Sequence, residues 1–381
     1  MSAQSSFRVV IAGGGIAALE TALALRDLAA ERLTLQLVAP NAEFSYRAMS
    51  VREPFAYAAA TRYPLAEIAG DVGAELVADS FARVDSEKQI AHTDSGAELP
   101  YDALVIAVGA RPRPAFDHAL TIDDRRIDEL LHGLIQDVEE GYVSSLAFVA
   151  PEPVGWPLPI YELALMTAQR ADDMNAQPQI TVVTPESAPL AIFGDQASRA
   201  VATLLREAGI VTISSASVQV PTSGHIVIHP GERTLQVDRV VALPQLFGPA
   251  VRGIPGDGRG FIPVDRDGQV TGVPYVYAAG DATDFVVKHG GVAAQQADTV
   301  AQSIAVLAGA AVAVTPPELE IRGMLLTGGK PLYLSARITG GSAFSSQITD
   351  EPTDQPTWAP PVKIAARHLA PYLDQRDRAA R

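Results

Sequence analysis

The apolar positions of the first 40 residues predict a strand, a helix and a second strand. Residues 8–11 are an apolar run typical of a buried parallel strand, and residues 33–38 are another that Pro40 stops. Between them, a glycine-rich turn precedes a segment rich in Ala and Leu at residues 19–30, which favours a helix. This order within about 35 residues predicts a βαβ unit.

A second, weaker αβ pattern begins near residue 119. Strands and helices are again expected to alternate, with strands at residues 146–150, 180–183 and 237–243 and helices at residues 158–170 and 197–208. A later apolar strand at residues 275–279 precedes a helix expected at residues 292–307. Alternating elements of this kind predict parallel sheets covered by helices.

The turn of the first βαβ unit carries the strongest local motif, Gly13-x-Gly15-x-x-Ala18. In such a turn the first glycine allows the tight bend, and the second leaves room for a pyrophosphate beside the backbone. The small third residue lets helix and strand pack closely, and the helix N-terminus stabilises the phosphates. The motif therefore predicts dinucleotide binding, although Asn41 stands where a ribose-binding acid is expected after the second strand.

Two further apolar strands end in small residues, the first at Gly109 and the second at Gly280-Asp281. Together with the N-terminal glycines, these segments resemble the fingerprints of the FAD-dependent pyridine nucleotide–disulfide oxidoreductase superfamily. The resemblance implies that Gly280 lets the backbone approach FAD and that Asp281 accepts a hydrogen bond from a ribityl hydroxyl. Arg47 lies where the chain is expected to pass the cofactor; it contacts an FAD phosphate or the substrate, or it is a solvated surface residue.

The segment that follows Asp281, residues 288–297, narrows the resemblance to one branch. It is similar to the corresponding stretch of type II NADH dehydrogenases and sulfide:quinone oxidoreductases. The resemblance implies a helix that points its N-terminus at the flavin, where its dipole stabilises the charge of the reduced ring. Lys288 and Gln295 are the candidate catalytic residues and Gly291 a further cofactor-binding one, although a surface lysine and a polar helix glutamine remain alternatives.

The pattern and the resemblance together predict an α/β fold with two Rossmann-like dinucleotide-binding domains and a small C-terminal β-rich cap. The first domain is discontinuous, because the second is inserted between its two halves. The predicted bounds are residues 1–117 and 248–320 for the FAD-binding domain, 118–247 for the NAD(P)-binding-like domain and 321–381 for the cap. A short helix with a basic face that includes Lys363 is expected at residues 363–373.

Two departures from the family pattern affect the expected chemistry. The chain has no cysteine, so sulfide oxidation and dithiol reduction through redox cysteines are excluded. The loop at residues 151–157, Pro-Glu-Pro-Val-Gly-Trp-Pro, replaces the glycine-rich phosphate loop of the second domain. Prolines have no N–H to offer a phosphate, Trp156 is bulky and Glu152 repels it. Glu186, after the next strand, is left as a candidate for binding a ribose.

Composition limits the partners. The formal net charge of −15 offers no electrostatic route to nucleic acid or to an anionic membrane surface. No apolar window reaches the roughly 18 residues that a transmembrane helix needs, and no signal peptide is evident. The seven histidines show no metal-binding spacing. We therefore expect a cytoplasmic protein with no nucleic-acid partner, no metal and no strong membrane binding. A homodimer is the oligomeric state that we consider.

The function implied is FAD-dependent transfer of electrons or hydride, from NAD(P)H to a quinone-like or other small acceptor. Because the phosphate loop is degenerate, an alternative stays open: an FAD-binding protein with a non-functional nicotinamide site that acts as a partner or assembly module. A third interpretation is a reductase that receives electrons from another redox protein.

Overall fold

A computed structural model of the chain describes residues 6–57, 59–315, 318–339, 345–349 and 351–379. Within these residues the helices are α1 (Ile16–Ala29), α2 (Leu65–Asp71), α3 (Ile127–Glu139), α4 (Leu158–Asp173), α5 (Gly194–Glu207), α6 (Gly290–Leu307) and α7 (Leu369–Ala379). Short 3₁₀ segments are Ala30–Arg32, Arg47–Phe55, Ala191–Phe193 and Gly280–Ala282. None of the described helices combines the length and the apolar character that crossing a membrane requires.

The first parallel sheet is built from both ends of the chain. Its strands, in spatial order, are Val276–Ala278, Ala103–Ile106, Phe7–Ala12, Leu33–Val38 and Ala74–Val77. The sheet is covered on both faces, so its central strands read as unbroken apolar runs, and Ala103–Ile106 is fully buried. Two small antiparallel sheets accompany it, Glu43–Ser45 with Arg62–Pro64, and Phe81–Asp85 with Ile90–Thr93 and Glu98–Pro100.

The second parallel sheet is formed by residues that lie between the two halves of the first. Its strands, in spatial order, are Leu120–Thr121, Arg239–Ala242, Ser145–Val149, Gln179–Val183 and Val211–Ile213. An antiparallel sheet of Ser217–Thr222, His225–His229 and Arg233–Gln236 packs beside it. The two passages between the sheets pair with each other, as Arg111–Arg113 with Gln245–Phe247.

The C-terminal part adds a third layer. Glu320–Leu325, Leu332–Thr339 and Ser345–Thr349 form an antiparallel sheet, and Ile321 and Leu325 join the hydrophobic core of the second sheet. The predicted α/β class with two Rossmann-like sheets is confirmed. The predicted bounds of the domains stay a prediction.

The predicted C-terminal helix is wrong in its bounds. Residues 363–368 are irregular, and α7 begins at Leu369. Lys363, expected on a basic face, is 6% exposed and donates a hydrogen bond to Glu162 of α4 at 2.7 Å. The helix starts later because the buried Glu20 carboxylate accepts the N–H groups of His368 and Leu369, at 2.8 and 2.6 Å, and so caps the start of α7.

Candidate active site

Of the three glycines in the turn after the first strand, Gly15 is the one with open space beside it, and this is where a ligand is expected. Gly13 has φ +130°, and a Cβ there would lie 2.3 Å from the carbonyl oxygen of Ala107, so its role is to let two strands approach. Gly15 directly precedes α1, and a Cβ there would meet nothing within 4 Å. Ala18 is fully buried against the sheet. The turn therefore presents the N-terminus of α1 to unfilled space, as phosphate binding requires.

A second glycine lies where α1 and α6 converge. Gly280 has φ +76°, and a Cβ there would lie 3.1 Å from the Cβ of Ala17 and 3.3 Å from that of Ala293. Its N–H donates to Oε1 of Gln296 at 2.8 Å. Gly280 therefore brings the backbone between the two helix N-termini, and Gln296 fixes it there.

The Asp281 carboxylate that follows accepts no hydrogen bond from the part of the chain that the structure describes. Burial raises its pKa to about 6, and the nearby Lys288 opposes that rise. The residue is only partly buried, and neither of its carboxylate oxygens is a buried atom without a partner, so the carboxylate is open to water or to a ligand. The geometry fits a sugar or ribityl hydroxyl as that ligand.

Lys288 is buried beside Asp281 rather than exposed on the surface. Its Nζ donates to the carbonyl oxygen of Thr283 at 2.6 Å and lies 3.8 Å from the centre of the Phe261 ring. Burial lowers the pKa of Lys288 to about 8, while Asp281 opposes the decrease. The ammonium is still largely protonated at neutral pH, so it places a positive charge near the N-terminus of α6.

His289 immediately precedes α6, and its imidazole folds over the first turn. A Cβ on Gly291 would lie 2.8 Å from Cε1 of His289, so glycine is required there for the imidazole to fit. Burial lowers the pKa of His289 to about 4, which keeps the ring neutral. Nδ1 of His289 is buried without a hydrogen-bond partner among the described residues. This orphaned atom, which the sequence gave no reason to single out, is a second group that a bound ligand would satisfy.

The two adjacent glutamines of α6 have different roles. The amide of Gln295 is fully engaged with the cap, because its Nε2 donates to the carbonyl of Glu320 at 2.7 Å and its Oε1 accepts the N–H of Glu320 at 2.9 Å. Gln296 is the one that contacts the Gly280 turn. A role for Gln295 beside a flavin stays a prediction, and the structure gives it a structural role first.

The two remaining candidates lie at the edges of the site. Gly109 follows the strand Ala103–Ile106 with φ +76°, and a Cβ there would meet nothing within 4 Å. Arg47 begins the 3₁₀ segment Arg47–Phe55, and its guanidinium lies 3.8 Å from a carboxylate oxygen of Asp124. Binding of FAD by either residue stays a prediction.

The degenerate loop of the second sheet closes on the same place. The N–H of Lys288 donates to the carbonyl of Gly155 at 3.1 Å, and a Cβ on Gly155 would lie 2.9 Å from Cγ of Lys288. The Trp156 ring lies 4.4 Å, centre to centre, from the His289 imidazole. The loop is therefore packed against the start of α6 and does not form a phosphate cradle.

Glu186, the candidate for binding a ribose, is engaged within the protein. The hydroxyl of Tyr161 donates to its Oε2 at 2.6 Å, and that of Thr184 donates to the same oxygen at 3.1 Å. Burial raises the pKa of Glu186 to about 7, although these hydrogen bonds oppose the rise. Its other oxygen, Oε1, is buried without a hydrogen-bond partner among the described residues, so a ribose role for Glu186 stays a prediction.

A cavity of about 280 Å³ opens along α6 on the side of the cap. One wall is a single face of α6, and the others are the strand Glu320–Leu325 and the segment before α7. The residues that line it include Gly291, Ala294, Gln295, Asp298, Arg322 and Arg367. The cavity starts at the first turn of α6, next to His289, and is large enough for a single aromatic ring.

These features together fit FAD. The open space at Gly15 leaves room for a pyrophosphate, and Nδ1 of His289 is a buried polar atom without a hydrogen-bond partner among the described residues. Two parallel sheets, each with a helix N-terminus at its carboxyl edge, define a protein with two dinucleotide-binding folds. The chain belongs to the pyridine nucleotide-disulphide oxidoreductase family, whose pattern matches residues 7–136 and 161–297. The matched residues exclude the degenerate loop.

Individual proteins similar to the chain agree with this fold. The chain is 26% identical over 291 residues to an NADH dehydrogenase-like protein of Mycobacterium tuberculosis (strain CDC 1551 / Oshkosh), and the alignment covers 72% of each chain. The sulfide:quinone oxidoreductase of Aquifex aeolicus shares the fold with a TM-score of 0.82 and 19% identity, over 98% of this chain and 90% of that one. A ferredoxin reductase of the CYP199A2 system from Rhodopseudomonas palustris shares the fold with a TM-score of 0.67 and 20% identity, over 87% of this chain and 83% of that one.

Proposed function

We propose that the chain is an FAD-dependent oxidoreductase that passes electrons to a quinone-like or other small acceptor. The observation that carries the proposal is the convergence of the Gly15 turn, the Asp281 carboxylate and the Lys288 ammonium at the N-termini of α1 and α6. Gly13, Gly15 and Ala18 would form the pyrophosphate turn. When bound, FAD supplies the redox chemistry.

The residues at the start of α6 provide the electrostatics. Lys288 holds a positive charge there, and the N-terminus of α6 adds the positive end of the helix dipole. Both favour the negative charge that a flavin carries after two-electron reduction. His289 is kept neutral by burial and therefore adds no charge at this place.

The cavity along α6 is the site that we assign to the acceptor. Its volume is at the small end for ligand pockets, which favours a compact head group rather than a nucleotide. The name of the A. aeolicus neighbour refers to a quinone, which supports that chemical class here. The absence of cysteine still excludes a sulfur relay in this chain.

NAD(P)H, the expected donor, is predicted to bind poorly and to reduce the flavin slowly. Gly155 and Trp156 pack on Lys288 and His289, so a pyrophosphate meets side chains where it needs free N–H groups. Each lost contact or added repulsion costs about 1–2 kcal/mol, or about 5- to 30-fold in affinity. Several together move the dissociation constant from micromolar towards millimolar. Titration of the oxidised protein with NADH and NADPH, paired with anaerobic reduction kinetics, measures this. Micromolar affinity with reduction in milliseconds would contradict it.

The packed loop also favours the second candidate function, a flavoprotein that serves as a partner or assembly module. The two differ in whether the flavin turns over. Photoreducing the flavin anaerobically and mixing it with a short-chain quinone separates them, because an oxidoreductase returns to the oxidised spectrum and a scaffold stays reduced. A reductase that receives its electrons from another redox protein is the third candidate, and the reduced donor protein would replace the photoreduction step in the same experiment.

Membrane association is expected to be weak. Lys363, which was expected to give the tail a basic face, is buried against Glu162, and the net charge of the chain is −15. Co-sedimentation with neutral and with anionic liposomes at physiological salt is therefore expected to leave most of the protein in the supernatant. Recovery of most of the protein with either liposome would overturn this. A cytoplasmic location and a homodimer stay proposals.

A further inference from the structure

The far end of the cavity along α6 carries a carboxyl group. Ala294 and Gln295 lie three and four residues after Gly291, and Asp298 lies four and three residues after them, so the four residues line one face of the helix. Asp298 lies seven residues beyond Gly291, which is about 10 Å along the helix. A ring that enters at the first turn therefore extends towards Asp298.

Asp298 is surrounded by ionisable groups from every neighbouring element. Oδ1 of Asp298 is buried and forms no hydrogen bond within the described residues, and Nε2 of His368 lies 3.6 Å from it. The carboxylate of Glu20, on α1, lies within 4.8 Å of both. Arg367 and Arg322 line the cavity, and Arg322 is already paired with Glu320 at 2.6 Å.

Two carboxyl groups this close cannot both be ionised at low cost, so the pair retains a proton. Both oxygens of Glu20 accept backbone N–H groups, which favours the carboxylate form on Glu20. No backbone N–H of the described part of the chain donates to Asp298. Burial and the charge of Glu20 raise the pKa of Asp298 to about 8. At neutral pH the proton therefore resides on Asp298, at the wall of the cavity.

We propose that Asp298 is the proton donor to a quinone-like acceptor in this cavity, with His368 returning the proton from solvent. The proposal rests on the proposed function. The acceptor gains two electrons and one proton, equivalent to a hydride, from the reduced flavin, and its second oxygen takes the proton of Asp298. A hydroquinone forms and Asp298 becomes a carboxylate. His368, whose side chain is 18% exposed, then delivers a proton from water to restore Asp298.

The test compares wild type with Asp298→Asn after anaerobic photoreduction. Mixing with a short-chain ubiquinone is expected to reoxidise wild type rapidly below about pH 8 and more slowly above it, because Asp298 is then ionised. Asp298→Asn should lower the quinone rate about 100-fold, within the usual range for general acids, and remove that pH dependence. Asp298→Glu should restore part of the rate. Asp27→Asn, at an exposed position of α1, serves as the matched control.

Two further measurements keep the outcomes distinct. Ferricyanide accepts electrons without a proton, so its reaction reports whether Asp298→Asn retains an intact flavin site. Infrared spectroscopy of the oxidised protein should show a protonated carboxyl band that Asp298→Asn removes. If wild type reacts with quinone and Asp298→Asn reacts equally fast with the same pH profile, the proton donor is wrong and the proposed function survives. If wild type reacts with ferricyanide but not with quinone, the quinone-like acceptor is wrong and the proton donor is wrong with it, while an oxidoreductase with another small acceptor survives.

Discussion

Gly15→Val is expected to abolish FAD binding while the chain still folds. A Cβ at Gly15 meets no protein atom within 4 Å, so the larger side chain projects into the space in front of α1. That is the space that the pyrophosphate needs. Losing this contact should cost at least about 4 kcal/mol, or about 1000-fold in affinity.

Titration of the apo-protein with FAD, followed by quenching of flavin fluorescence, measures the loss. Gly13→Ala is the contrasting variant, because its Cβ would lie 2.3 Å from the backbone of Ala107 at φ +130°. It should lower the melting temperature of the apo-protein, whereas Gly15→Val should leave that temperature nearly unchanged. Normal FAD affinity in Gly15→Val would show that the pyrophosphate does not lie at this turn.

Lys363→Met is expected to be among the most destabilising substitutions in the chain. Glu162 is fully buried, and Lys363 is the cation that compensates it, at 2.7 Å. The pair attaches the segment before α7 to α4. Glu162 also accepts the N–H of Leu326 at 3.0 Å. Removing one partner of a buried pair typically costs 3–5 kcal/mol, because the other charge is left uncompensated.

The double variant Glu162→Gln/Lys363→Met is the control. It removes both charges and keeps an amide oxygen for Leu326, so it should recover most of the stability that Lys363→Met loses. Thermal unfolding of the three proteins at one pH and salt concentration measures the difference. A single variant as stable as wild type would mean that the pair contributes little to the attachment.

Local patterns allowed the first sheet to be predicted closely. The strand expected at residues 33–38 is Leu33–Val38, and the helix expected at residues 292–307 is α6, which begins two residues earlier. These elements depend on runs of adjacent residues, which a sequence displays directly. The roles of Gln295 and Gln296 are not displayed, because adjacent helix residues point about 100° apart and no pattern decides which one faces Gly280.

Long-range contacts account for the errors at the C-terminus. Pro360-Pro361 indicated a helix from Lys363, but the start of α7 depends on Glu20, which lies about 350 residues earlier in the chain. Glu20 and Glu162 are each the single charged residue in the apolar first part of a helix, residues 16–25 and 158–166. Such residues are rarely buried without a partner, but the sequence does not name that partner.

The poor phosphate site of the second domain was predicted from the residues of its loop at 151–157. The prolines and Trp156 of the loop predicted a poor phosphate site, and the structure adds the reason that the loop has another contact, on Lys288 and His289. The domain therefore has a parallel sheet whose loop at residues 151–157 packs against the start of α6. This arrangement is consistent with a donor other than NAD(P)H.

The central claim is that this chain holds FAD at the edge of its first sheet without a covalent bond. Its most direct test is the absorption spectrum of the purified protein, followed by acid precipitation and identification of the released flavin by mass. The account predicts a yellow protein that releases close to one FAD per chain into the supernatant. A colourless protein that takes up no added FAD, or flavin that remains in the pellet, would contradict it.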